Sequence, residues 1–464
     1  MFGCRHAQSS PFSGNSQVDQ SIRSAVPGAA QASPPGRLAV LDALRGFAAL
    51  GILWRNIFVF GMPAVAFSLP EEWGVSTGAN VASWLFVVIF VDGTMRGLFS
   101  LLFGASAILI MEKYAVRPGG LAAADLYFRR LMWLIVFGLV HGYLLLWPHD
   151  VLYVYGVIGM FLFVFRNLSG RWLLVIALVI FAVSSLKDGT GWSLAEDSMN
   201  ALDAKMMLQA AQSPPDAPGV PDPGPTEEEA STVDGSDIER AMLDDIERMA
   251  LYEIEEHLQD YPGLVKTMAL QTFQEQTSMF VSDHLLDVGA MMFFGMALFR
   301  LGALSGAWPF RAYLALAVGG LGLGLLLGFG IHGATAIEGW DDYSVGTADA
   351  YLYNARRLAL CLGVVGLFHV LTHARATAAV VRVLAQVGRM PLSVYVSQTI
   401  VCITVFYGVG FGQFGTLEHH QLLLVALAIN AVQIVVVLLW LRRWRQGPLE
   451  ALLRRLVEGK ARAG

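Results

Sequence analysis

The sequence predicts an all-α polytopic membrane protein, a bundle of about ten membrane-crossing helices. Three observations carry that reading. The 464 residues are 55% hydrophobic and only 15% charged, with a mean hydropathy of +0.55, too apolar for an ordinary soluble domain. Apolar stretches of about 18 to 25 residues, long enough to cross a hydrocarbon core ~30 Å thick as helices, recur along most of the chain. They do not alternate apolar with polar residues, as the strands of a membrane barrel would.

Taken in order, residues 1–36 are rich in Ser, Pro, Gly and Gln and hold no apolar core of the signal-peptide kind, so they read as a disordered cytoplasmic tail. An N-terminal membrane half, 37–187, holds spans near 39–61, 81–112, 126–147, 150–166 and 171–187. A C-terminal half, 281–445, holds spans near 281–302, 308–331, 350–373, 388–411 and 421–442, and 446–464 is a basic cytoplasmic tail. The second span is too long for one straight crossing, which predicts a break near Asp92-Gly93. Cys4, Cys361 and Cys402 form neither a disulfide framework nor a metal-ligand spacing.

Charge tests this map independently, because short cytoplasmic loops collect Lys and Arg. With the N-terminus inside, the inner segments hold Arg37, Lys113, Arg129, Arg130, Arg375, Arg382 and the basic C-terminal run, whereas the short outer loops near 62–80, 148–149 and 412–420 hold none. Both termini are therefore expected in the cytoplasm. The insertion at 188–280 then lies on the outer face. It begins with a Pro- and acid-rich linker and continues in "SDIERAMLDDIERMALYEIEEHL", where Ser236 and Glu239 fit a capping box and Ile238, Met242, Ile246 and Met249 recur at helical spacing. An acidic amphipathic helix is expected there, its charge reading as a solvated face before a binding site.

Against this apolar background the polar residues stand out. In "LDALRGFAALGILWRN", Arg45 and Asn56 are eleven residues apart, about three helical turns, so they share one face about 16 Å apart along the axis. Asp42, one turn before Arg45, can pair with it. The same residues also suit an interfacial anchor and a helix–helix hydrogen bond. A second cluster, "GLVHGYLLLWPHDVLYVYG", brings His141, His149 and Asp150 to the outer end of spans three and four, with Tyr143 and Trp147 beside them. A neutral imidazole next to a carboxylate is suited to general-base work near pH 7. Arg96, near the expected break, and Asp283, His284 and Asp287, opening the sixth span, all need partners or water. Arg356 and Arg357 break the charge pattern on the outer side. They suit an anion or carboxylate ligand, or plain pairing with Asp341, Asp342 or Asp349. Arg389, Ser393, Tyr395 and Gln398 stand at the inner start of span nine, where a phosphate can be met. His369 reads as structural, and His419 and His420 as exposed.

Four ordered segments carry a resemblance: "LDALRGFAALGILWRNIFVFGMP", "LFSLLFGASAILIMEK", "RRLMWLIVFGLVHGYLLLWPHDVLYVYGVIG" and "VGRMPLSVYVSQTIVC". They resemble the signature segments of the YeiB-like bacterial inner-membrane family, domain of unknown function 418, over most of 37–445. The resemblance implies a multi-pass protein of the bacterial inner membrane with the insertion in the periplasm. That family is similar to the broader transmembrane acyltransferase superfamily, which implies transfer of an acyl group from a cytoplasmic donor to an acceptor on the opposite face. Many O-acyltransferases of that superfamily place an Arg and, after ten residues, a His in the first span; here Arg45 and Asn56 hold those places. The lysosomal heparan-α-glucosaminide N-acetyltransferase has Asn at that spacing, with its catalytic His about eleven residues later, where this sequence has Phe67.

The expected activity is acyl transfer, with His141 or His149 as base oriented by Asp150 and Asn56 on the oxyanion. Arg45 and the inner basic groups, with Asp42, Arg96, Arg356, Arg357, Arg389, Ser393, Tyr395 and Gln398, are the expected donor- and substrate-binding set. Acyl-CoA is expected as a co-substrate and no cofactor or metal as tightly bound. The expected partners are the lipid bilayer, an acyl donor, and a glycan, lipid or small acceptor. No motif points to nucleic acid, and association into a homo-oligomer stays open. The alternative is a non-enzymatic transporter or receptor using the same polar groove.

Overall fold

A computed structural model describes residues 35–68, 70, 75, 78–115, 120–212, 235–333 and 343–459. Nearly all of the expected tail 1–36, the Pro-rich linker, Asp341 and Asp342 lie outside the described residues. The described chain is all-helical, without a strand.

Among the described residues, seven helical stretches are long and apolar enough to cross a membrane, and an eighth arises if one bent pair counts as a single span. α1 (Pro35–Gly61) is followed by the short α2 (Ala64–Ser68) and by α3 (Gly78–Phe86) and α4 (Thr94–Ala115), which together make one long crossing. Its break falls where the sequence predicts it. A π-helical turn, Val87–Val91, ends at Asp92, and Gly93 takes φ +69, a left-handed conformation that disfavours any side chain.

α5 (Gly120–Tyr143) and α6 (Val151–Leu162) occupy the third and fourth expected spans. Neither reaches the length and apolarity of the seven. α5 carries Arg129, Arg130 and His141 within its stretch, and α6 is only 12 residues long. α7 (Gly170–Gln212) overruns the expected end at 187 and remains helical for 43 residues. The acidic helix of the insertion is present as α8 (Gly235–His257). The insertion does not continue as loop to 280. α9 (Tyr261–Gln276) leads through a π turn, Phe280–His284, into α10 (Leu285–Arg300), and the stretch Tyr261–Arg300 reads as one long apolar run.

α11 (Phe310–Gly328), α12 (Tyr343–Leu371) and α15 (His419–Arg443) match three expected spans. The ninth, expected as one helix over 388–411, is instead α13 (Ala378–Val387) and α14 (Pro391–Phe406), bent by 78° where Pro391 denies the backbone an N–H. α16 (Pro448–Glu458) closes the chain and packs on α5 and α14.

The core centres on α10, which is buried on every side from Val288 to Leu298, as expected of a helix apolar all round. It lies so close to α4 that a Cβ at Gly104 would strike the Met292 carbonyl and one at Gly295 the Leu101 carbonyl. Without a hydrophobic drive between helices in lipid, such small-residue contacts are what bring backbones together. α1 and α13 meet in the same way through Gly46 and Gly388. Apolar side chains on α7, α11 and α15 point outward, for example Val179, Leu326 and Val432, a surface suited to lipid tails.

Candidate functional site

The C-terminal end of α5 and the start of α6 are joined by a tight turn in which Leu146 takes φ +52. Among the described residues it is the only non-glycine in that region. Such a conformation costs about 1–3 kcal/mol and persists where the surroundings impose it. Leu146 is fully buried, and its twist sends the next residue, Trp147, inward. There the Trp147 ring stacks on Phe60 of α1 at 3.9 Å, and its Nε1 donates to the Tyr395 hydroxyl on α14 at 3.1 Å.

Behind this aromatic wall lies a three-residue relay. His141 Nδ1 is 2.7 Å from Asp150 Oδ1, and His141 Nε2 is 2.9 Å from the Thr399 hydroxyl. Asp150 also caps α6, its Oδ2 accepting from the Tyr153 amide at 2.8 Å, so the carboxylate is fixed by the backbone before it meets the imidazole. A carboxylate only accepts, so Nδ1 carries the proton toward an ionised Asp150; in the neutral imidazole Nε2 then accepts from the Thr399 hydroxyl. His141 and Asp150 side chains are each 1% exposed, and Thr399 is equally buried. The Tyr395 ring packs edge-on to the imidazole at 5.0 Å. A carboxylate, an imidazole and a hydroxyl in this order are the arrangement by which a base activates a hydroxyl.

Of the residues expected to act together, the structure joins His141, Asp150 and Tyr395 and separates His149. That histidine is exposed and pairs with Glu275 at 3.0 Å; Glu275 also meets His284 at 2.8 Å. Asp150 thus orients His141, not its sequence neighbour. Asn56 is half-buried and, among the described residues, makes no side-chain hydrogen bond. It lies one turn before Phe60, on the face of α1 that meets Trp147.

Asp42 and Arg45 pair as expected, at 2.7 Å, and Arg45 reaches Ser106 of α4 at 2.6 Å. Arg389, Ser393 and Gln398 do not gather round a common point. Arg389 donates to the Arg445 carbonyl at 2.6 Å. At the start of α14, the place expected to meet a phosphate is taken by Glu450 of α16, which accepts from the Leu392 and Ser393 amides at 2.8 and 3.1 Å and from the Ser393 hydroxyl. Gln398 donates to the Ala49 carbonyl at 3.1 Å and to Gln433 at 3.3 Å, fastening α14 to α1 and α15.

Arg356 and Arg357 are wholly buried and so do not face the outer solvent as a surface anion site would. Arg356 donates to the Val88 and Ile89 carbonyls exposed by the π turn, and lies 3.7 Å from Asp349. Arg357 pairs with Asp287, which also meets Arg96 at 3.0 Å. His419, expected to be exposed, is buried and bonded to the Ala66 carbonyl at 2.9 Å. His369 stacks on Tyr313 at 4.1 Å, in keeping with a structural role.

Sequence reasoning missed Thr399, although it lies in the quoted run "SVYVSQT", one turn after Tyr395 and therefore on the same helical face. It also missed the Arg55–Asp92 pair, 2.9 Å between α1 and the break, and Glu275. Thr399 with His141, the Arg55–Asp92 pair and the His149–Glu275 contact join residues far apart in sequence, where spacing gives no signal.

The family model described as protein of unknown function (DUF418) matches residues 298–460. The chain is 28% identical over 431 residues to the uncharacterized protein YeiB of Escherichia coli (strain K12), an alignment covering 90% of this chain and 96% of that protein. The DUF418 match and the likeness to YeiB support a YeiB-like DUF418 family for this chain. To the uncharacterized protein YxaH of Bacillus subtilis (strain 168) it is 27% identical over 433 residues, 90% of this chain and 93% of that one. A third relative, the uncharacterized 39.9 kDa protein in the amylase 3' region of Bacillus acidopullulyticus, is 32% identical over 133 residues, 29% of this chain and 35% of that protein. No solved structure matches. Thr399 and Tyr395 fall inside the region matched by the DUF418 model, and His141 and Asp150 fall before it.

Proposed function

We propose that this chain is an acyltransferase of the bacterial inner membrane, with both termini cytoplasmic and α8 on the periplasmic side. In this reading it moves an acyl group from a cytoplasmic donor such as acyl-CoA to a hydroxyl or amine of a periplasmic glycan, lipid or small acceptor. The observation that carries the reading is the Asp150–His141–Thr399 relay. A neutral imidazole held by a buried carboxylate, with its free nitrogen already on a hydroxyl at 2.9 Å, is poised to take a proton from an attacking hydroxyl. Thr399 marks where the acceptor's hydroxyl is held, and the acceptor displaces it. Asn56, on the Phe60 face of α1, supplies an amide to the developing oxyanion. Arg45, beside Asp42 and Ser106 at the other end of α1, meets the donor's phosphates.

The test is transfer of radiolabelled acetyl groups from acetyl-CoA into membrane glycans and lipids by the purified protein in liposomes. Transfer that disappears in His141→Gln while the protein stays folded supports the role. Undiminished transfer in that variant excludes it.

A transport reading draws on a separate observation, the half-accessible charge pairs Arg55–Asp92 and Arg96–Asp287 among the membrane helices. It predicts uptake of labelled solute into liposomes without covalent transfer, and with little dependence on His141.

A further inference from the structure

The break at Asp92 gathers a second cluster that acyl transfer does not use. Arg55 of α1 meets Asp92 through its Nε at 2.9 Å, and its guanidinium lies flat over Phe67 at 3.9 Å. One turn along the chain from Asp92, Arg96 binds Asp287 of α10 at 3.0 Å, and Arg357 of α12 binds the other oxygen of that carboxylate. Tyr353 completes the group, with Arg357 5.1 Å and Arg356 5.5 Å from its ring centre.

Two features of the cluster ask for a ligand. The first is charge: among the described residues, Arg55, Arg96, Arg356 and Arg357 pair only with Asp92, Asp287 and Asp349, four cations against three carboxylates. His332, on Asp349 at 3.3 Å, adds no negative charge. An uncompensated cation among membrane helices is costly unless an anion or water meets it. The second is hydrogen bonding. The Nε atoms of the fully buried Arg356 and Arg357 have no hydrogen-bond partner among the described residues, and neither do the Nη groups of Arg55. Arg55 and Arg96 are also the accessible members, 31% and 35% exposed, whereas Arg356 and Arg357 are sealed.

We infer that Arg55 and Arg96 form a binding site for a phosphate group at the break between α3 and α4, backed by Arg357. Two guanidinium forks call for more acceptor oxygens than the two of a single carboxylate, and phosphate supplies them while cancelling the excess charge. Asp92 and Asp287 hold the two forks in place without saturating them. The site is distinct from the relay and from Arg45, and it does not depend on acyl transfer. The phosphate can come from a free anion or from a lipid headgroup.

Thermal unfolding of the full chain in neutral detergent separates these sources, with inorganic phosphate and pyrophosphate in one arm and micelles doped with phosphatidic acid in the other. The expected result is a saturable rise in Tm in at least one arm, unchanged in the surface variant Arg129→Gln and with a midpoint at least about tenfold weaker in Arg55→Gln and Arg96→Gln. A rise with the inorganic anions identifies a free phosphate ligand, and a rise with phosphatidic acid alone identifies a lipid phosphate. Because Arg96 also supports Asp287, Arg55→Lys serves as the milder variant; it keeps the charge on Asp92, loses the fork, and is expected to weaken the midpoint too. No saturable rise in either arm, or equal midpoints in wild type and the Arg55 variants, overturns the site.

Discussion

The relay and the arginine cluster put polar groups among the same helices by opposite means. At the relay every group is sealed and partnered: Asp150 is held by a backbone amide, His141 by Asp150, and Thr399 by His141. At the cluster Arg55 and Arg96 are partly accessible, and among the described residues four arginines meet three carboxylates. Full satisfaction rigidifies a site and fixes proton positions, which suits chemistry. Incomplete satisfaction leaves a place for something else to bind. In the two proposals polarity inside this bundle thus has two different uses, assigned on the contrast in hydrogen bonding and not on residue type alone.

The largest effect is expected at the relay. His141→Gln keeps the volume and removes the base, and transfer is expected to fall ~10²–10⁴-fold in the liposome assay, with the thermal transition retained. At the cluster, the corresponding deletion acts on stability. Asp287→Ala leaves Arg357 buried without its carboxylate, a change of about 3–5 kcal/mol, read as a large fall in Tm. A loss smaller than about 1 kcal/mol would show that Arg357 has another counter-charge.

Acid provides a third test, outside the membrane helices. His257, at the end of α8, stacks on Phe414 at 3.9 Å, and burial pushes its pKa down to about 4. The folded form therefore binds its proton less readily than the unfolded chain, so its contribution is intact above about pH 6.5 and is lost as pH falls toward 4. On the order of 2–3 kcal/mol of the docking of α8 is expected to go over that window. Glu253, one turn earlier, is pushed up by burial and acts in the opposite sense. Hydrogen exchange of α8 amides at pH 7 and pH 4.5 checks the sign, and His257→Phe is expected to flatten the dependence.

Smaller effects refine the roles. Thr399→Ala is expected to lower transfer by about tenfold or less, ~1.4 kcal/mol, if the acceptor's hydroxyl takes its place. A loss as deep as that of His141→Gln would make Thr399 the attacking group. Asp125→Ala removes the exposed pair with Arg129 on α5 and is expected to change stability by less than about 1 kcal/mol, a baseline for the buried pairs.

Much of the architecture was legible because the bilayer imposes a length on every apolar run. The break at Asp92-Gly93 was legible too, since an overlong span has to bend somewhere, and a charged residue followed by glycine is where a helix gives way at least cost. The bent α13–α14 pair was not, although "GRMP" carries the signal, because the apolar pattern continues across the proline. The insertion is shorter at both ends than its composition suggests, since α7 stays helical in polar sequence and α9 is only modestly apolar. For the site, the nearness of His141 to Asp150 in the quoted segment is visible in the sequence, but His149 stands closer and competes for the same carboxylate. Spacing along a helix says which residues share a face; it does not say which other helix that face meets. That is why Thr399 as a partner of His141, 258 positions away, and Asp287 as the partner of Arg357, 70 positions away, emerged only from the fold.

The decisive measurement is a side-by-side titration of His141→Gln and Arg55→Gln in one liposome preparation, reading acetyl transfer from acetyl-CoA and phosphate-dependent Tm together. His141→Gln is expected to lose transfer and keep the phosphate response, because the proposed function makes the relay the reaction centre and leaves the cluster out of it. Transfer at the wild-type rate by His141→Gln would refute that assignment.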